Sequence, residues 1–145
     1  LAAPSARQAP RTPAPSAADP RPAAPDPTMA LTRALASRGL SLSDVNAMPD
    51  ARAELERFQR QPSLERLPEL LTALDAAEIP TALIRQKLDR LGEQLRRAAP
   101  GLGPRALELA ERAYLDLETT AQSNPSRAER HALLAAAARL SARLD

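Results

Sequence analysis

Cysteine and tryptophan are absent from this 145-residue chain, and its aromatic side chains are Phe58 and Tyr114 alone. Without thiols there is no disulfide, no thiolate metal site and no cysteine nucleophile. That absence fits a reducing compartment, and it fits equally the many exported bacterial proteins that lack cysteine. β-Branched apolar residues are almost missing too, amounting to Val45, Ile79 and Ile84. Strands draw on such residues and on aromatics, whereas Ala, Leu, Arg, Glu and Gln lose little freedom in a helix. The composition therefore speaks against a sheet protein. No apolar run approaches the ~20 residues that span a bilayer. Nor does a charged region followed by a hydrophobic core open the chain, as in a signal peptide. The chain starts at Leu1 rather than Met, which reads as a mature product or a piece cut from something longer. The expected location is cytoplasmic, or outside the cell after export without a classical signal peptide.

The charge balance looks basic and is nearly neutral. Twenty basic groups face eighteen acidic ones, a net +2 despite a pI near 9.9. The high pI reflects arginine identity, with Lys87 the one lysine, rather than a large cationic excess. Nucleic-acid binders show a larger excess and, for single strands, stacking aromatics.

Two regions differ in their physics. Residues 1–27 hold eight of the fifteen prolines, and their one large apolar residue is Leu1. Proline fixes φ, removes a donor and pushes its predecessor to extended geometry. With nothing to bury, such a segment cannot offset its chain entropy, and it reads as a disordered, partly polyproline-II spacer. Pro13, Pro15, Pro20 and Pro22 superficially resemble ligands for proline-reading grooves, but a plain linker accounts for them.

From Thr28 onward proline becomes punctuation, and 28–145 reads as a helical bundle domain. Thr28 is placed to cap a helix over 29–38, which Gly39 ends as a left-handed glycine does. Ser41 or Ser43 opens a short turn through Met48. Pro49 starts a helix over 51–60, and another runs from Pro62-Ser63 to about Glu78 with Pro68 in its first turn. After Pro80, Ile84, Leu88, Leu91 and Leu95 follow at 4-3-4 spacing. After Pro104, Leu107, Ala110, Tyr114 and Leu117 follow at 3-4-3, with Leu109 and Leu115 expected to widen that stripe. Ser126 and Glu129 form a capping box ahead of Leu133, Ala137, Leu140 and Leu144. Amphipathic helices joined by short Pro/Gly turns predict an all-α bundle of four to five mostly antiparallel helices.

Chemistry is scarce. His131, the one histidine, has no second ligand nearby in sequence and reads as a surface or capping residue. Gly101-Leu102-Gly103-Pro104 has the outline of a phosphate-cradling turn, but no strand precedes it and no Lys follows, so a helix connector explains it. Glu54/Glu56 and Glu108/Glu111 pair carboxylates without a perturbing environment. Glu108/Arg112 and Glu93/Arg97 have the i, i+4 spacing of solvated ion pairs. The expectation is a non-enzyme with no cofactor, no metal and no catalytic residue.

What remains is a protein–protein interaction module: an adaptor, a regulatory domain or a bacterial secreted-effector domain. The candidate partner-binding residues are Arg85, Arg90, Arg96 and Arg97 on a basic helix that also carries Lys87. Leu133, Leu134, Leu140 and Leu144 form a second candidate surface, which serves either as core or as contact. Alternatives are a self-associating bundle and a helix-turn-helix regulator of nucleic acid ending at Leu40–Met48. Asp50, Glu54 and Glu56 on the following helix would face phosphates badly. The Pro/Ala/Ser-rich leader ahead of a compact helical module resembles the architecture of many bacterial type III-secreted effectors. The stretch from Ala36 to Val45 is similar to helical kinase-binding modules of plant-pathogen effectors. The likeness is one of style, not of alignable sequence, and it implies a secreted effector without transferring residue roles.

Overall fold

The computed structural model describes residues 26–145. The spacer reading of 1–27 therefore lies, save for its last two residues, outside the described residues. Among the described residues seven α-helices follow one another: α1 (Pro27–Ser37), α2 (Leu42–Asn46), α3 (Pro49–Arg60), α4 (Leu67–Ala76), α5 (Thr81–Ala98), α6 (Pro104–Gln122) and α7 (Arg127–Leu144). Among the described residues there is no strand. The count exceeds the four to five expected because the short early segments each stand as a separate helix and the turn expected after Ser41 is a helix too, α2.

Local chemistry sets the boundaries. α1 begins earlier than expected because Asp26, not Thr28, is its cap: Asp26 accepts the Thr28 amide at 3.0 Å, and Pro27 fills the first turn. An acidic cap followed by proline satisfies one donor and omits another. Gly39 then takes φ +76°. The Leu40 amide donates to the Leu35 carbonyl at 2.9 Å, and that of Gly39 to Ala36 at 3.0 Å. This pair of bonds is the Schellman closure that a left-handed glycine makes accessible. Ser41 and Asp44 box the short α2, and Ser126 and Glu129 box α7.

α5, α6 and α7 form one half of the molecule. Arg85 meets Glu118 and Leu88 meets Tyr114, so α5 and α6 run antiparallel. Arg130 reaches Ile79 and Gln94 reaches Ser141, so α5 and α7 run parallel. α3 packs on α2 and α4 in the other half, and α1 bridges α4 and α7. A single continuous core joins the halves. Fourteen leucines are buried, and Val45, Ile79 and Ile84, at 0%, 0% and 5% exposure, are buried with them. The three apolar β-branched side chains are thus all in the core, where they limit the repacking that a Leu/Ala interior permits.

Two glycines set helix separations. A Cβ on Gly39 would lie 2.2 Å from the Leu134 carbonyl oxygen, so α1 ends directly against the α7 backbone. On Gly92 it would lie 2.7 Å from the Tyr114 hydroxyl, so the glycine is the recess that seats the tyrosine. Leu109 and Leu115 do not widen the α6 stripe. They are 51% and 62% exposed, because at six residues apart they fall on opposite flanks of the helix.

The first turns of α7 explain His131. His131 Nε2–H donates to the Ala77 carbonyl at 2.9 Å, Arg127 donates to Ala76 at 2.9 Å, and Arg130 donates to Ile79 at 2.6 Å. Cations at a helix N-terminus oppose the helix dipole. Here Arg127, His131 and Arg130 instead supply donors to carbonyls at the end of α4 and in the segment that leads to α5. The Gly101–Pro104 stretch is the connector between α5 and α6: a 3-10 turn over Ala99–Gly101, then Gly103 at the start of α6.

Candidate functional site

Because α5 and α7 lie side by side and parallel, one face of each is left facing a shared groove of about 850 Å³. On α5 this face is Lys87, Arg90, Leu91, Gln94 and Arg97, a helical progression of three- and four-residue steps. On α7 it is Leu134, Ala137, Ala138, Ser141 and Ala142, with Leu144 at the end. Ala36 and Gly39 at the end of α1 close one side. Leu91, Leu134 and Ala137 are buried and form the floor. The small side chains above them keep the groove open, since a larger residue at Ala138 or Ala142 would fill it.

The α5 edge is charged. Lys87 is held by Asp44 at 2.6 Å, and this contact fastens α2 to α5. Burial pushes the Asp44 carboxyl up, but the hydrogen bonds from Lys87 and from the Ser41 amide outweigh it and hold the group below its ordinary value. Beyond Lys87 the rim carries Arg90, Glu93 and Arg97, all exposed. Among the described residues no carboxylate lies within ion-pair distance of Arg90, Arg96 or Arg97. The i, i+4 pair expected for Glu93 and Arg97 is accordingly not formed, whereas Glu108 and Arg112 approach to 3.5 Å. At the far end Ser141 Oγ donates to Gln94 Oε1 at 2.7 Å. Gln94 Nε2 donates to Asp145 at 2.8 Å and to the Ser141 carbonyl at 3.1 Å.

The basic segment of α5 therefore divides. Arg85 lies outside the groove, at 2.9 Å from Asp89 and 2.8 Å from Glu118. Burial lowers the Arg85 pKa, but its bonds to Glu118 and Asp89 raise it further, so the net shift is upward. Glu118 Oε2 also accepts from the Tyr114 hydroxyl at 3.2 Å, while Oε1 rests against the guanidinium without a directed hydrogen bond. Burial and the adjacent Glu118 push the Tyr114 hydroxyl pKa up. This cluster ties α5 to α6. Arg96 is exposed and does not line the groove. Of the four arginines, Arg90 and Arg97 are brought together.

The leucines divide likewise. Leu133 and Leu140 are 3% and 2% exposed and belong to the core. Leu134, at 1%, is core as well as groove floor, and half-buried Leu144 lines the end of the groove. Ala138 belongs to the alanine-rich run Ala132–Ala138, whose small side chains already suggest close approach to another helix, whereas Ala36, Gly39 and Ala142 were not legible as lining residues. Among the described residues no group of three or more His, Asp or Glu side chains is placed to hold a metal ion. No helix of the described residues is long and apolar enough to cross a membrane.

Compared with family models, curated proteins and solved structures, the chain matches none.

Proposed function

We propose that this chain is a non-catalytic protein–protein interaction module, of the adaptor, regulatory or secreted-effector kind, whose partner seats in the groove between α5 and α7. The observation that carries this reading is the groove itself. Its floor is apolar, its α7 wall is of small side chains that permit close approach, and its α5 rim presents two arginines that no described carboxylate engages. Binding sites between proteins combine an apolar centre with a polar rim, and arginine is enriched among the residues that dominate their energy. Helical modules commonly receive partners in grooves between helices.

A photo-reactive benzoylphenylalanine placed at Ala142 tests the reading, with a second chain labelled at Leu115 as reference. Both sites are exposed, one at the groove and one on the outer face of α6. The expected outcome in native cells is a discrete protein adduct from Ala142, resistant to nuclease and absent from Leu115. Adducts from Leu115 alone, or material that nuclease removes, would contradict it.

A second reading, self-association, has one specific observation behind it: the exposed Leu109 and Leu115 on α6. A sedimentation coefficient that stays constant across a wide concentration range would remove it.

A further inference from the structure

We infer that the occupant of the groove is an amphipathic helix of a partner protein bearing an acid–base–acid stripe, read by Arg90, Glu93 and Arg97. The inference rests on the groove being the binding site. Arg90, Glu93 and Arg97 are exposed and stand at i, i+3 and i+7 of α5, so they share one face. They form a cation–anion–cation line along the rim. Among the described residues some cations of the fold are engaged, Arg38 with Asp75 at 2.9 Å, Lys87 with Asp44, and Arg85 with Glu118, while others, such as Arg96 away from the groove, are not. Arg90 and Arg97 have no such partner among the described residues.

The far wall has the opposite character. Ala36, Ala138 and Ala142 carry no charge and offer no side-chain donor, Ser141 spends its hydroxyl on Gln94, and the charged side chain on this side, Asp145 at the far end, is an anion. A ligand that fits both walls is apolar on one side and charged on the other. Arg90 and Arg97 lie about 10.5 Å apart along the helix axis, which is two turns. A helix laid along α5 meets that spacing with residues seven apart on one face. A strand covers the same distance in about three residues, which places the two charges on opposite faces. A nucleic-acid backbone fits less well, because Glu93 interrupts the cationic line and the alanine wall has nothing to give a phosphate.

The chain itself does not supply this helix. Its first 25 residues contain a single acid, Asp19, against Arg7, Arg11 and Arg21. On the helices the carboxylates seven apart are Glu111 and Glu118. The positions between them on the same face are Tyr114 and Leu115, neither a cation, since Arg112 falls on another side of the helix, and Glu118 is engaged by Arg85. A second copy thus lacks the complementary stripe. Stripe-to-stripe charge matching of this kind sets partner choice between helices in coiled coils.

The test is a display library of amphipathic helices with the three stripe positions varied among Glu, Lys and Ala, selected on the full chain. A second selection uses the chain with R90E, E93K and R97E combined. All three positions are exposed, and an unchanged circular dichroism melt confirms that the fold is kept. The wild-type chain is expected to enrich acid–base–acid helices, and the inverted chain base–acid–base helices. Each selected helix should bind the opposite chain at least about tenfold more weakly, a factor within reach of several reversed charge pairs. Helices that bind both chains alike but are lost on A142W would overturn the stripe and leave the groove as the binding site. Helices indifferent to A142W as well would overturn both.

Discussion

Replacing Gly39 by alanine perturbs the junction on which the groove is built, and its cost follows from two separate terms. The residue sits at φ +76°, where a side chain costs roughly 1–2 kcal/mol. The added methyl would also fall 2.2 Å from the Leu134 carbonyl oxygen and 2.8 Å from its carbon. Both are backbone atoms in the middle of α7, so no rotamer change relieves the contact. α1 must move away, at the roughly 1–3 kcal/mol typical of overpacking. The sum, about 2–5 kcal/mol, is a large part of the 5–15 kcal/mol that holds an ordinary domain together. Urea unfolding followed by far-UV circular dichroism reads it as a lower midpoint at unchanged slope. Gly39→Asn separates the terms, since asparagine tolerates the left-handed region but carries the same Cβ. The account expects Asn to recover the smaller part of the loss. A G39A loss below about 1 kcal/mol would refute the reasoning. Full recovery in G39N would refute the close approach of α1 to α7.

The recess at Gly92 makes a paired prediction: G92A destabilises by about 1–3 kcal/mol, and Y114F added to it recovers part, because the nearest clashing atom is the hydroxyl oxygen at 2.7 Å. Strict additivity in that double-mutant cycle would count against the contact. Leu134→Ala, at a site 1% exposed, should cost about 2–5 kcal/mol. Leu115→Ala, at 62% exposure, should stay within about 0.5 kcal/mol. Comparable losses for the two would contradict the assignment of core and surface. For acid stability, Asp75 is held below its ordinary pKa by its bond to Arg38, and Asp44 likewise despite its burial. A carboxylate lowered in the folded state contributes stability that is complete above its unfolded value of about 4 and is lost as pH falls through the folded one. The double variant D44N/D75N should therefore be less stable at neutral pH, yet lose less below about pH 4. An unchanged acid slope would show that neither ion pair survives in solution.

Much of the fold was legible because its signals are local. Gly39, the Ser126/Glu129 box and the stripe Ile84, Leu88, Leu91, Leu95 each act within a turn or two, and each appears where its spacing places it. The early helices were under-counted because Ser41 with Asp44 caps a helix of five residues, too short to show periodicity. Thr28 lost the cap to Asp26 because Pro27 suits the first helical position, which moves the boundary upstream. The tie from Arg127, Arg130 and His131 to the end of α4 spans about fifty residues of sequence. Its one local trace was a rule broken: Arg127 and Arg130 stand at a helix N-terminus where the dipole disfavours cations. The candidate site was half legible. Arg90 and Arg97 were named, but as members of a basic run with Arg85 and Arg96, because the run gives composition whereas the helix divides it by face. Most of the opposite wall was hidden, since alanine reads the same in a core, on a surface and along a groove.

Whether the partner seats between α5 and α7 is read by amide hydrogen exchange of the full chain, with and without the partner trapped at Ala142. A partner seated in the groove slows exchange over 87–98 and 134–144, its two faces, and leaves α3 and the outer turns of α6 unchanged. Protection confined to α6 around Leu109 and Leu115, with none on α5 and α7, would contradict that seating.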